Sequence, residues 1–197
     1  MDQEASDKAK HSFIVVVMGV SGSGKTVVGS ALARALGGRF VEGDRFHPPE
    51  NISRMSAGMP LRDEDRWGWL DAIAIEINLA ERHGETLVVA CSALKRIYRD
   101  RLRLASRQLQ FVYLEIGRDV AAARVAARRG HFMPASLIDS QFADLEPPAP
   151  EEGAIKLTAT GNPAQLATSA ASAILAHIGR FRHRGVEILI CVGRRTR

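Results

Sequence analysis

The sequence predicts one α/β domain in which a parallel sheet carries helices on both faces, and three observations lead there. Short apolar runs alternate with helical patterns along the chain. The octapeptide Gly19-Val20-Ser21-Gly22-Ser23-Gly24-Lys25-Thr26 joins one apolar run to one helical stretch. The 197 residues suffice for a buried core, and neither internal repeats nor low-complexity segments divide them.

The first strand is read at 13–18, where Phe13-Ile14-Val15-Val16-Val17-Met18 is apolar throughout and β-branched at its centre, as in a strand covered on both faces. A helix at 25–36 follows, with Val28, Leu32, Ala35 and Leu36 as its apolar side and Gly37-Gly38 as its stop. A strand at 39–42 leads to helices at 48–56 and 63–82. In the second of these, Trp69, Ile73 and Ile77 recur at helical spacing and read as core. Leu87-Val88-Val89-Ala90 with Cys91 marks a strand at 86–91, followed by a helix at 94–106 and a strand at 110–115. Helices at 119–129, with Asp119 as cap, and at 135–145 come next. Glu146 to Glu152, carrying three prolines, reads as a solvated connector to a strand at 154–158. Asn162-Pro163-Ala164-Gln165 offers an N-cap, a proline at the first helical position and a capping-box glutamine for a last helix at 163–178.

The octapeptide fits the pattern G-x-x-x-x-G-K-[ST] in the context its chemistry needs. A strand feeding a glycine turn feeding a helix N-terminus gathers backbone N–H groups and the positive end of the helix dipole around one anion. Lys25 can then reach the β and γ phosphates, and the Thr26 hydroxyl can ligate Mg²⁺. The sequence therefore implies a nucleoside triphosphate ligand.

The net charge of +5 suggests a polyanionic partner, but its location argues otherwise. Residues 179–197 hold six arginines against the single acid Glu187, so this segment carries the whole excess. The neutral remainder has no basic footprint for nucleic acid. Cys91 and Cys191 are too few for a disulfide framework and too far apart for a metal knuckle. Lys8 and Lys10 before the first apolar run faintly resemble a secretory signal, but Asp2, Glu4 and Asp7 mix the charge of the leader. No stretch approaches the ~18 apolar residues of a membrane span. A soluble, cytoplasmic protein is expected.

Beyond the loop, ligands of an open parallel sheet lie past the carboxyl ends of its strands. Asp44, just after the second strand, should face the same crevice as Lys25. There it can orient and deprotonate an attacking hydroxyl, cap the next helix or hold Mg²⁺ through water. His47 is either helix-start filler or a substrate hydrogen-bond donor. Arg66, near a helix start, opposes the helix dipole and so invites a substrate role. Ser92 and Lys95 follow the third strand over the crevice, and Lys95 holds an anion or is simply solvated. Arg124 and Arg128 lie four apart on one helix face beside Gly130-His131-Phe132-Met133-Pro134, as a closing lid or as a solvated basic face.

The blocks GDRFHPPENISRMSAGMPLRDEDRWGWL, CSALKRIYRDRLR and ARRGHFMPASLIDSQFADLEPP, in this order, resemble the signatures of the gluconate kinases (gluconokinases), from about Phe13 to about Leu175. The resemblance implies the three-layer P-loop NTPase fold of shikimate and nucleoside monophosphate kinases. That fold is a five-stranded parallel sheet of order 2-3-1-4-5 with helices on both faces and a helical lid. It also implies ATP and Mg²⁺ as cofactors, D-gluconate as the substrate phosphorylated at its 6-hydroxyl, and a homodimer. Carried over, the phosphate loop is Gly19 to Thr26, the acid is Asp44 with His47 nearby, and the lid arginines are Arg124 and Arg128 with His131 in the lid turn. Lys25, Asp44 and Arg128 become the catalytic set, with Arg124 flanking the base and Thr26 on the metal. Arg54, Arg66 and Lys95 are the cations available to the gluconate carboxylate. Arg54 replaces the usual lysine, and Gly68 a usual proline. Cys91-Ser92-Ala93 stands where a shikimate kinase would show a glycine triplet. The kinase domain thus spans 1–178, with a lid at about 124–140, and leaves 179–197 as a basic tail without counterpart.

Overall fold

The computed structural model describes residues 12–127 and 137–176. Five strands, β1 (Ile14–Met18), β2 (Arg39–Glu42), β3 (Leu87–Ala90), β4 (Leu109–Glu115) and β5 (Ile155–Thr158), form one parallel sheet of order β2-β3-β1-β4-β5. The helices are α1 (Lys25–Ala35), α2 (Pro49–Ser56), α3 (Asp63–Arg82), α4 (Arg96–Arg103), α5 (Arg118–Ala127), α6 (Leu137–Asp144) and α7 over 163–176. This is the expected architecture. Among the described residues no helix is long and apolar enough to cross a membrane.

β1 lies at the centre, paired to β3 on one side and β4 on the other, and all five of its residues are buried. Because side chains alternate along a strand, Ile14, Val16 and Met18 enter one core and Val15 and Val17 the other. The first core packs under α3 and α4 through Trp69, Ile73, Ile77 and Tyr98. The second packs under α1 and α7 through Val28, Leu32, Ala170 and Ile174. Burial on both faces explains why β1 reads as an unbroken apolar run. Cys91 is a buried free thiol whose pKa burial pushes up to about 12, so it stays protonated.

Four local features depart from the sequence reading. A 3-10 turn, Gly43–Phe46, fills the gap between β2 and α2, and α4 is shorter at both ends than 94–106. Asp119 sits inside the first turn of α5 rather than capping it. The connector after α6 is not simply solvated. The Glu152 side chain is 3% exposed and takes two hydrogen bonds from Arg99, at 2.6 and 2.7 Å. Asn162 does cap α7, its Oδ1 accepting the Ala164 N–H at 2.8 Å.

Candidate active site

The phosphate loop leaves β1 at Gly19, and its neighbours explain its glycines. Gly19 has φ +140°, and a Cβ there would lie 2.7 Å from the Leu114 carbonyl oxygen at the end of β4. A Cβ on Gly22, at φ +80°, would lie 2.6 Å from the Ala121 carbonyl of α5. Backbone cannot yield as a side-chain end can, so both positions demand glycine. The loop is held to the segment just after β3 by the Gly19 N–H, which donates to the Ser92 carbonyl at 3.2 Å. α1 then starts at Lys25 with left-handed Gly24 as its N-cap, no side-chain cap and no acid in its first turn. Its first amides are therefore not committed to a cap, which suits an anion.

Lys25 folds over the loop and donates from Nζ to the Val20 carbonyl at 3.1 Å. Thr26 donates its hydroxyl to Glu42 Oε2 at 2.6 Å. These are hard oxygen donors beside the phosphate loop. Mg²⁺ takes one or two protein oxygens and completes its shell with phosphates and water, so the pair fits it. Among the described residues no cluster of three or more His, Cys, Asp and Glu side chains could hold a metal. Arg124 reaches across from α5 and donates to the Gly22 carbonyl at 3.2 Å.

Among the described residues, two cavities flank the loop. The first, of about 390 Å³, is bordered by Gly22, Gly24, Thr26, Glu42 and Arg124. The second is a narrow cleft of about 30 Å³ between α2, α3 and α6, bordered by His47, Arg66, Ser92 and Gln141. Ser21, Lys25 and Asp44 line both. His47 stacks on Trp69 with ring centroids 4.2 Å apart. Burial lowers its pKa to about 4, Arg66 adding to the effect and Asp44 opposing it, so the ring is neutral near pH 7. Trp69 in turn donates to the Gly43 carbonyl at 2.8 Å and fixes the turn that carries Asp44.

Of the three candidate cations, only Arg66 borders the second cavity. It donates to the Leu61 carbonyl at 3.2 Å and lies 3.6 Å from Asp144, while its Nε is buried without a hydrogen-bond partner, as is Nδ1 of His47. Lys95 is engaged elsewhere, 2.6 Å from Asp63 and 3.5 Å from Asp144, and the Asp63 hydrogen bond raises its pKa. It lines a neighbouring depression with Asp63 and Asp144. Arg54 pairs with Asp65 at 3.8 Å and borders neither cavity. Arg128, His131 and the tail 179–197 lie outside the described residues.

Two residues that sequence reasoning overlooked belong to this site. Glu42, the last residue of β2, had a usable signal, since a strand's carboxyl end faces the crevice. Gln141 had none, because its partner Ser21 is 120 residues away.

Comparison with known proteins agrees with the geometry. Residues 14–148 match the family described as AAA domain. A gluconokinase of Gluconobacter oxydans is 45% identical over 149 residues, 76% of this chain and 84% of the relative. The thermosensitive gluconokinase of Escherichia coli is 41% identical over 169 residues, 85% of this chain and 89% of its own. The crystal structure of a gluconokinase from Sinorhizobium meliloti superposes with a TM-score of 0.79 at 43% identity, covering 88% of this chain and 98% of that one. With so much of each relative matched at this identity, the chain belongs to the gluconokinase family of small-molecule P-loop kinases.

Proposed function

We propose that the protein transfers the γ-phosphoryl group of ATP to the 6-hydroxyl of D-gluconate, giving 6-phospho-D-gluconate and ADP. The observation that carries this reading is that Lys25 and Asp44 line both cavities. The cation suited to a phosphate and the acid suited to a hydroxyl thus share the boundary between a nucleotide side and an acceptor side. The relatives named gluconokinases supply the choice of sugar acid.

Phosphoryl transfer to a hydroxyl needs no covalent enzyme intermediate, so the protein's work is positioning and charge neutralisation. Lys25 and the loop amides hold the β and γ phosphates. Thr26 and Glu42 are the residues that would hold Mg²⁺, which when bound neutralises phosphate charge. Asp44 orients the 6-hydroxyl and takes its proton. Neutral His47 hydrogen-bonds acceptor hydroxyls, and Arg66 is the cation best placed for the carboxylate. Arg124 flanks the nucleotide. Arg128 and His131 keep their roles of phosphoryl stabilisation and of substrate binding from the lid turn on the family resemblance alone. The same resemblance supports a homodimer, while the neutral charge of residues 1–178 and the lack of a long apolar run support a cytoplasmic enzyme without nucleic-acid or membrane partners.

A coupled ADP-release assay tests the reading. Turnover is expected with D-gluconate, and glucose, which lacks the carboxylate, is expected to be a poor acceptor. Equal turnover of the two would refute it.

A further inference from the structure

α6 does more than close the acceptor cleft. Gln141, on this helix, is 8% exposed, and its carboxamide grips Ser21 at two points. The Ser21 N–H donates to Gln141 Oε1 at 2.7 Å, and Gln141 Nε2 donates to Ser21 Oγ at 3.1 Å. A carboxamide presents a donor and an acceptor side by side; an ionised glutamate lacks the donor, and a thioether has no donor and only a weak acceptor. Ser21 is the loop residue, with Lys25, that borders both cavities.

The helix carrying this fork is itself pinned. Asp144, three residues on and so on the same side, lies 3.6 Å from Arg66 and 3.5 Å from Lys95. Asp139 lies 3.0 Å from Arg118 at the start of α5, the helix whose Arg124 donates to the Gly22 carbonyl. α6 is thus tied to the acceptor lobe, to α5 and to the phosphate loop. The Gly19 N–H donates to the Ser92 carbonyl just after β3 and the Ser23 N–H to the Val20 carbonyl, each at 3.2 Å, and the Ser21 N–H donates to Gln141 of α6.

We propose that Gln141 is a positioning residue for phosphoryl transfer: its carboxamide fixes Ser21 at the boundary between the two cavities and so sets the phosphate loop against the acceptor side. A loop without this fork loses two hydrogen bonds at Ser21, and the ordering then left to nucleotide binding weakens that binding and misplaces the transferring group. The turnover part rests on the reading of gluconate as acceptor; the nucleotide part does not.

The test uses the full chain with Gln141→Met, which keeps length and volume but loses the fork, and Gln141→Ala, which loses volume as well. ADP affinity is measured by calorimetry, kcat by ADP release with gluconate, and folding by thermal melt. Both variants are expected to lose about tenfold in kcat or about fivefold in ADP affinity, the scale of a buried hydrogen-bond partner removed. Ser21→Ala, which removes only the hydroxyl end, should cost less, and its loss should not add to that of Gln141→Met. Gln141→Met with kcat and ADP affinity both within twofold of the parent overturns the proposal. A lowered melting temperature with both intact also overturns it, since Gln141 would then be packing alone. If the parent itself does not turn over gluconate, the substrate reading fails, and ADP affinity alone decides the role of Gln141.

Discussion

Asp44 lines both cavities, as Ser21 and Lys25 do, on a 3-10 turn whose Gly43 carbonyl is held by Trp69. A carboxylate so placed can take a proton without displacing the groups that hold phosphate. Asp44→Asn should therefore lower kcat by about a hundredfold or more, the low end for a general base, while ATP affinity changes little. Steady-state kinetics alongside nucleotide titration checks this; retention of most of kcat would make Asp44 a structural acid. At this scale the sequence was uneven. Lys25, Thr26 and Asp44 were legible because motif and strand end fix where they point. Lys95 was not, since its partner Asp63 is 32 residues away and only packing of α3 on α4 brings them together.

The connector between α6 and β5 shows the same limit at the scale of elements. Its prolines and acids read as solvated chain, yet Glu152 is buried against Arg99, which also donates from Nη1 to the carbonyls of Ala93, Leu94 and Glu146. One guanidinium thus binds the segment after β3 to the segment after α6. The Arg99 hydrogen bonds hold the Glu152 carboxyl down to about 2, below its ordinary 4.5. A carboxylate with a depressed folded-state pKa stabilises the fold fully above about pH 4.5 and loses that contribution as pH falls towards about 2. Glu152→Gln should cost about 3 kcal/mol at pH 7, the cost of breaking a buried pair from one side. The gap between variant and parent should close as melts are repeated from pH 6 down to pH 2. A gap that stays constant with pH would mean that the charge of Glu152 contributes nothing.

For the whole molecule, the five-stranded sheet and its two cores are built, among the described residues, from positions up to Ile174. α7 over 163–176 already covers the second core with Ala167, Ala170 and Ile174. The tail 179–197 carries the entire net positive charge and lies beyond the matched family span of 14–148. We therefore expect a chain ending at Gly179 to fold and to keep near-full kinase activity, with an isoelectric point close to neutral. Thermal melts, sedimentation and the ADP-release assay test this together. A large fall in melting temperature, or conversion of a dimer to a monomer, would make the tail a structural part of the enzyme.

The sequence by itself determined the sheet, the phosphate loop and the family. Strand burial leaves an apolar run such as Ile14 to Met18, and an anion-binding loop requires glycines at fixed spacing, so both properties are local and visible in order along the chain. Tertiary structure alone decided how the charged and polar side chains pair. Arg66 borders the cleft between α2, α3 and α6 while Lys95 and Arg54 do not, each of the three lies near an aspartate, and Gln141 grips Ser21 across 120 residues. Long polar side chains reach partners set by which helices pack together, and that choice depends on distances that no spacing along the sequence records.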